Sequence, residues 1–195
     1  MIVTTTKLQT YILVVMAHDI GGCKDEQVQP KLAEVSWLAK DQWWTDSKSF
    51  TKLKKYYNLT DADFKFIDKN SLNIDDPVQA LLIEALIQID EYAQEKRECF
   101  DLPLDLSLGT EFQQKVWRGL QDISFGETIS YATLAERIDN PKGFRAVANA
   151  NSKNPFSLII PCHRVIASDG KLGGYTGGLD KKEYLLALEG VKCKP

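Results

Sequence analysis

The run Pro161-Cys162-His163-Arg164-Val165 sets a thiol directly beside an imidazole, after the apolar residues Ser157 to Ile160 and ahead of the glycine-rich stretch Gly170 to Gly178. Cysteine attacks as the thiolate, and an unperturbed pKa of about 8.5 leaves little of that form at neutral pH, so a reactive cysteine needs a base or a favourable field. Successive side chains on an extended chain point to opposite faces. For Cys162 and His163 to cooperate, the backbone has to turn at the cysteine. The apolar run reads as a buried strand that delivers the pair into a loop. A bare Cys-His dipeptide is more often incidental than reactive, and a cysteine hydrolase is one chemistry that such a pair would allow.

A second unusual placement is Glu189. The last helix is predicted to start near Asp180, which with Glu183 forms a capping signature, and to stop at Gly190, with Tyr184, Leu185 and Leu188 facing inward. Glu189 then falls in the final turn, where a carboxylate opposes the helix dipole. Either it is simply solvated or a nearby group favours it.

Asn154-Pro155 stands upstream of the thiol, and Tyr175-Thr176-Gly177-Gly178-Leu179 and Leu185-Leu186-Ala187-Leu188-Glu189-Gly190 stand downstream. With Gly109-Thr110-Glu111-Phe112-Gln113, Val116-Trp117, Phe125-Gly126-Glu127, Ile129-Ser130-Tyr131 and Arg145-Ala146-Val147, this resembles the O6-alkylguanine-DNA alkyltransferases in order and spacing. The resemblance runs from about Leu104 to Gly190, and the first hundred residues share it only weakly. It implies DNA repair by irreversible, single-turnover transfer of an alkyl group from O6-alkylguanine, with O4-alkylthymine as a further substrate, and no cofactor. Cys162 would be the acceptor, His163 a base acting through a water, Glu189 the group orienting the histidine, and Asn154 a hydrogen-bonding residue that shapes the turn.

The same resemblance implies that the protein binds double-stranded DNA as a monomer through the minor groove. A recognition helix carrying Arg145, Ala146, Asn149 and Asn151 would lie in that groove, Arg145 replacing the flipped nucleotide. Tyr131 would contact the base and help rotate its phosphate. Main-chain groups of Cys162 and Val165 would read the exocyclic amine, the Thr176 amide would donate to O6, and Tyr175 would wall the pocket. Two departures stand out: Phe144 is bulky where many relatives are small, and Thr176 replaces a smaller residue in some, which would narrow the pocket toward methyl. A non-catalytic lesion sensor of the same fold is the alternative, but such relatives lack the acceptor cysteine that Cys162 supplies.

The elements that must hold these residues follow from periodicity and caps. Tyr11 to Val15 is strand-like, and Trp37, Trp43, Trp44, Phe50, Tyr56 and Tyr57 form an aromatic cluster better suited to a core than to a nucleotide platform. A helix is predicted from about Pro77 to Gln94, capped by Asp76, with Val78, Leu81, Leu82, Ala85, Leu86, Ile89 and Tyr92 on one face. Around Phe100 to Leu108 the helical period lapses, which divides the chain into residues 1–102 and 103–195. Thr110 with Gln113 opens a second helix with Phe112, Val116, Leu120 and Ile123 inward. Ser130 caps a short helix, Asn140-Pro141 breaks it, and another runs from Gly143 to Asn151. Such a pair reads as a helix-turn-helix, though many pairs like it never touch DNA. By resemblance, the first domain is an α/β layer, ribonuclease-H-like in shape, that supports a mostly helical second domain.

Composition removes other classes. The 195 residues are 44% hydrophobic and 26% charged, the balance of a globular protein. No apolar run approaches the 18 or so residues of a membrane span, and Tyr11 to Ala17 leads into His18-Asp19 rather than a cleavage site. An intracellular protein is expected, cytoplasmic in a prokaryote and nuclear in a eukaryote. Cys23, Cys99, Cys162 and Cys193 are widely spaced with no CxxC pair, which favours free thiols. Some members of the resembled family carry zinc, and His18 with Cys23 could contribute to a site, but no set of four ligands matches, so no metal is expected. The net charge of −3 hides an uneven division: 12 basic and 17 acidic residues before position 103, 12 and 10 after it. A locally cationic surface is what phosphate contacts require.

Overall fold

A computed structural model describes residues 1–20 and 29–192. Cys23 and Cys193, and with them the His18–Cys23 metal site considered above, lie outside the described residues. Among the described residues no cluster of His, Cys, Asp or Glu is arranged to hold a metal. The architecture is mixed α/β and separates into two compact units, Met1–Leu108 and Gly109–Pro195.

The first unit is built on a four-stranded sheet in the order β3-β2-β1-β4, with β1 Ile2–Leu8, β2 Tyr11–His18, β3 Lys31–Leu38 and β4 Lys65–Phe66. β1 and β2 form a hairpin from Ile2↔Ala17 to Leu8↔Tyr11, β3 adds antiparallel to β2, and β4 adds parallel to β1. β2 reads as an almost unbroken apolar run because it is an inner strand covered on both faces. Val3, Val14 and Met16 face a cluster with Trp44, Phe50, Leu53 and Phe64. Trp44 and Phe50 meet edge to face at 5.0 Å, the geometry that their ring quadrupoles prefer. Trp44, Phe50 and Tyr57 of the aromatic stretch thus join the core, whereas Trp37 is half-buried against Tyr11 and Trp43 and Tyr56 are exposed. Helix α1, Lys48–Tyr57, carries Phe50 and Leu53. Helix α2, Pro77–Ala93, packs against β1, β2 and β3 and is capped by Asp76, whose carboxylate accepts from the Gln79 amide at 2.9 Å. Its buried stripe keeps Val78, Leu82, Ala85, Ile89 and Tyr92, but Leu81 and Leu86 are only half-buried and Gln88 is buried. The Gln88 amide exchanges hydrogen bonds with the Asp101 backbone, which satisfies it.

The division between units falls after Leu108 rather than at 102. Residues 103–105 pair with β3: the Leu32 amide donates to the Pro103 carbonyl and the Asp105 amide to the Leu32 carbonyl, each at 2.8 Å. Asp105 is then fixed by Tyr57, Ser107 and His18. A segment without helical period is here an added bridge on the sheet, which composition alone does not reveal.

The second unit contains α3 Glu111–Gln121, β5 Ile129–Ser130, α4 Tyr131–Arg137, α5 Phe144–Asn151, β6 Val165–Ile166 and α6 Leu179–Leu188. The Thr110/Gln113 capping box closes α3, and Ser130 caps α4 by accepting from the Thr133 amide. α5 packs on α3 and α4. The Trp117 indole, fully buried on α3, donates to the Ala150 carbonyl at 3.0 Å. A Cβ on Gly109 would lie 2.4 Å from that indole ring, so glycine is required there. Two local expectations are corrected. Ser157 to Ile160 is not a strand but a series of turns, with Leu158 at φ +75°. α6 is capped by Gly178, at φ +102° and without a side-chain cap, so Asp180 lies inside the first turn, where the dipole favours it.

Candidate active site

Those turns carry the chain into a short 3-10 turn, Cys162–Arg164, from which it enters β6, paired in parallel with β5. The bend supplies the reversal that a strand could not, and it buries Cys162, His163 and Arg164 together. Asn154 holds the entry: its Nδ2 donates to the Ile160 carbonyl at 2.9 Å and its Oδ1 accepts from the Phe156 amide at 2.9 Å.

Glu189, at the C-cap of α6, is the hub. Its Oε1 lies 2.8 Å from His163 Nε2 and accepts from Arg164 Nη2 at 2.9 Å, while Oε2 accepts from Arg164 Nε at 2.9 Å and from the Gly126 amide at 3.3 Å. Arg164 Nη1 donates to the Ile123 carbonyl at 2.6 Å. Burial works against the carboxylate, but the hydrogen bonds from His163 and Arg164 outweigh it and hold the Glu189 pKa down at about 2. An ionised carboxylate only accepts, so His163 Nε2 carries the hydrogen and Nδ1 keeps its lone pair. Nδ1 is buried and has no hydrogen-bond partner among the described residues. Burial, against the pull of Glu189, lowers the His163 pKa, so the ring is neutral and can accept a proton.

Cys162 is 5% exposed. Burial pushes its thiol pKa up, opposed by the side chains of Asn154 and Tyr175 and the charge of Lys182. The resting group is therefore a thiol rather than a standing thiolate. Tyr131 is half-buried, and burial and the neighbouring Cys162 raise its pKa, so it keeps its phenolic proton.

The structure thus brings Cys162, His163, Glu189, Asn154, Tyr131 and Tyr175 into one neighbourhood. Val165 is buried and its carbonyl accepts from Lys182 Nζ at 2.7 Å. The Thr176 hydroxyl turns to the Ser152 carbonyl at 2.7 Å. Arg145, Ala146 and Asn149 lie on the exposed side of α5, with the Arg145 guanidinium over the Phe144 ring at 5.7 Å. Asn151 points inward instead, 5% exposed, because it ends the stripe begun by Val147 and Ala150. Arg164 and Lys182 were missed. A signal existed for both: Arg164 follows the pair directly, and Lys182 lies three, four and seven residues before Leu185, Leu186 and Glu189 on the buried side of α6.

Residues 111–191 match the family described as "6-O-methylguanine DNA methyltransferase, DNA binding domain". The methylated-DNA--protein-cysteine methyltransferase of Methanosarcina acetivorans is 50% identical over 107 residues, 55% of this chain and 68% of that protein. The chain belongs to the methylated-DNA--protein-cysteine methyltransferase family. The methyltransferase of Methanosarcina barkeri is 53% identical over 106 residues, 54% of this chain and 66% of its own length. The chain thus spans about two thirds of the length of these curated relatives of the methyltransferase family. Over nearly its whole length, 97% of this chain and 92% of the other, it is similar to the crystal structure of Mycobacterium tuberculosis OGT in complex with DNA, with a TM-score of 0.70 at 30% identity.

Proposed function

We propose that this protein repairs DNA by moving a methyl or other alkyl group from the O6 atom of guanine to its own Cys162, once per molecule. The observation that carries this reading is the buried Cys162 in one turn with a neutral His163 whose far nitrogen is fixed by ionised Glu189. The Cys162 proton passes to His163 Nδ1 through a water, and Glu189 stabilises the imidazolium that results. Sulfur attacks the alkyl carbon, the carbon–O6 bond breaks, and its electron pair stays on the purine, to which Tyr131 offers its retained proton. The thioether does not hydrolyse, so neither turnover nor a cofactor enters.

Access to O6 requires the base to leave the stack, at a cost of a few kcal/mol. We assign α4 and α5 as a helix-turn-helix and the exposed Arg145, Ala146 and Asn149 as its minor-groove face, Arg145 filling the gap in the duplex. The relative solved with DNA supports duplex DNA as the partner. The Val165 carbonyl has a second lone pair for the exocyclic amine, and the Thr176 amide and Tyr175 complete the pocket. The first unit takes the part of a ribonuclease-H-like support, the protein acts as a monomer, and its reactive thiol favours a reducing, intracellular compartment. Cys162 argues against a non-catalytic lesion sensor.

The test is a stoichiometric incubation with methylated duplex DNA followed by intact mass and peptide mapping. One added methyl on Cys162 is expected, and none in Cys162→Ser, which keeps its DNA affinity because serine is nearly isosteric but far harder to ionise. Product in excess of protein would indicate a cysteine hydrolase instead.

A further inference from the structure

Lys182 is completely buried, a placement lysine almost never takes without a specific reason. Its ammonium donates to the Val165 carbonyl at 2.7 Å and to the Leu172 carbonyl. Those two carbonyls bracket the chain that leaves the Cys162–Arg164 turn and doubles back, where the Ala167 amide meets the Lys171 carbonyl and the Gly170 amide the Ala167 carbonyl. One side chain therefore clips both ends of the loop that follows the nucleophile.

We propose that Lys182 is a positioning residue for the Cys162 reaction: its buried ammonium fixes the Val165 carbonyl and the 165–172 loop, and its charge stabilises the sulfur anion as the proton leaves. This rests on Cys162 being the alkyl acceptor. Its charge helps offset the burial that raises the Cys162 thiol. It also lowers the His163 pKa, behind burial, Glu189 and Arg164. A cation held by backbone carbonyls cannot swing away as a surface lysine would, and out of water it is little screened by salt.

The experiment is the pH dependence of Cys162 carbamidomethylation by iodoacetamide, read by peptide mapping, in the parent, Lys182→Gln, Lys182→Met and Lys182→Arg. Glutamine keeps a donor for the carbonyls but loses the charge. Lys182→Gln should react about tenfold more slowly at pH 8, the equivalent of one pH unit in the midpoint, with Lys182→Met at least as slow and Lys182→Arg within about threefold of the parent. A folded Lys182→Gln with the parent's midpoint would overturn the assignment. Should neither neutral variant fold, an NMR titration of Lys182 Nζ in the parent decides: an ammonium that loses its proton below the pH at which Cys162 ionises overturns the proposal, and one that keeps it supports it. Because iodoacetamide needs no DNA, the two failures are distinguishable: a protein that shifts as expected but takes no methyl from DNA overturns the repair reading, whereas one that takes the methyl but shows no shift in Lys182→Gln overturns only the role of Lys182.

Discussion

His163 Nε2 and Glu189 Oε1 lie 2.8 Å apart with both side chains completely buried, and the same carboxylate oxygen is also held by Arg164. Glu189 thus orients the base and neutralises a buried guanidinium at once.

Glu189→Gln should lose on both counts. Alkyl transfer to Cys162, measured as inactivation by free O6-benzylguanine, should slow by about tenfold or more because the imidazolium loses its counter-charge. Stability should also fall, by roughly 3 kcal/mol, since Arg164 is left buried without its partner. A variant with the parent's melting temperature and the parent's rate near neutrality would remove Glu189 from the relay.

The sign of the pH dependence follows from the same residue. Its folded pKa, about 2, lies below the ordinary 4.5, so its contribution is present above 4.5 and lost as the pH falls toward 2. Acid unfolding should be steep across that window in the parent and flatter in Glu189→Gln, as followed by circular dichroism.

Glu34 should act in the opposite direction. It is buried on β3, its oxygens make no close hydrogen bond among the described residues, and burial raises its pKa, offset only partly by Ser36, Ser49 and Lys52. The folded state therefore holds this proton more tightly than the unfolded one, and stability should decline as the pH rises from 4.5 through the raised value. Glu34→Met, matched in length, should remove that slope and gain on the order of 1 kcal/mol near neutrality by eliminating the desolvated carboxyl. A denaturant series across pH reads both, and an unchanged slope would refute the assignment.

Arg145→Ala should reduce repair of duplex DNA by at least about tenfold while leaving the reaction with free O6-benzylguanine near the parent rate, because only the duplex substrate has to be flipped. Arg145 is exposed on α5, with its guanidinium over the Phe144 ring. Equal losses on the two substrates would point to a folding defect instead.

Thr176→Val deletes the hydroxyl bond to Ser152 while keeping the side-chain shape. A net hydrogen bond is worth about 1 kcal/mol, so Thr176→Val should lose about that much stability in a denaturant series, with Thr176→Ser close to the parent. Because the hydroxyl is turned to Ser152, the ratio of methyl to benzyl transfer should change little between Thr176→Ser and the parent. A ratio shifted strongly toward benzyl would restore the view that Thr176 narrows the pocket.

Elements whose signals are local were legible before any coordinates. Asp76, Thr110 with Gln113 and Ser130 all cap where their residue types indicate, since a cap is a bond between near neighbours in sequence. The Ser157–Ile160 run was misread as a strand because a short buried apolar run looks alike whether extended or folded into turns. Cys162, His163 and Glu189 could be singled out from residue type and from the awkward helix position of Glu189. The positions of Arg164 and Lys182 carry a sequence signal, but the groups they hold do not, because those are backbone carbonyls and a carboxylate that only the tertiary fold brings near.

The 5% exposure of Cys162 has a consequence for the working life of the molecule. On the reading proposed above the protein is consumed by its own reaction, so any stray electrophile, oxidant or mixed disulfide that reached the sulfur would waste one copy. Held as a thiol and almost fully buried, Cys162 presents little nucleophile to solutes diffusing past. The burial that slows ionisation thereby preserves the stock of unreacted protein between encounters with damaged bases.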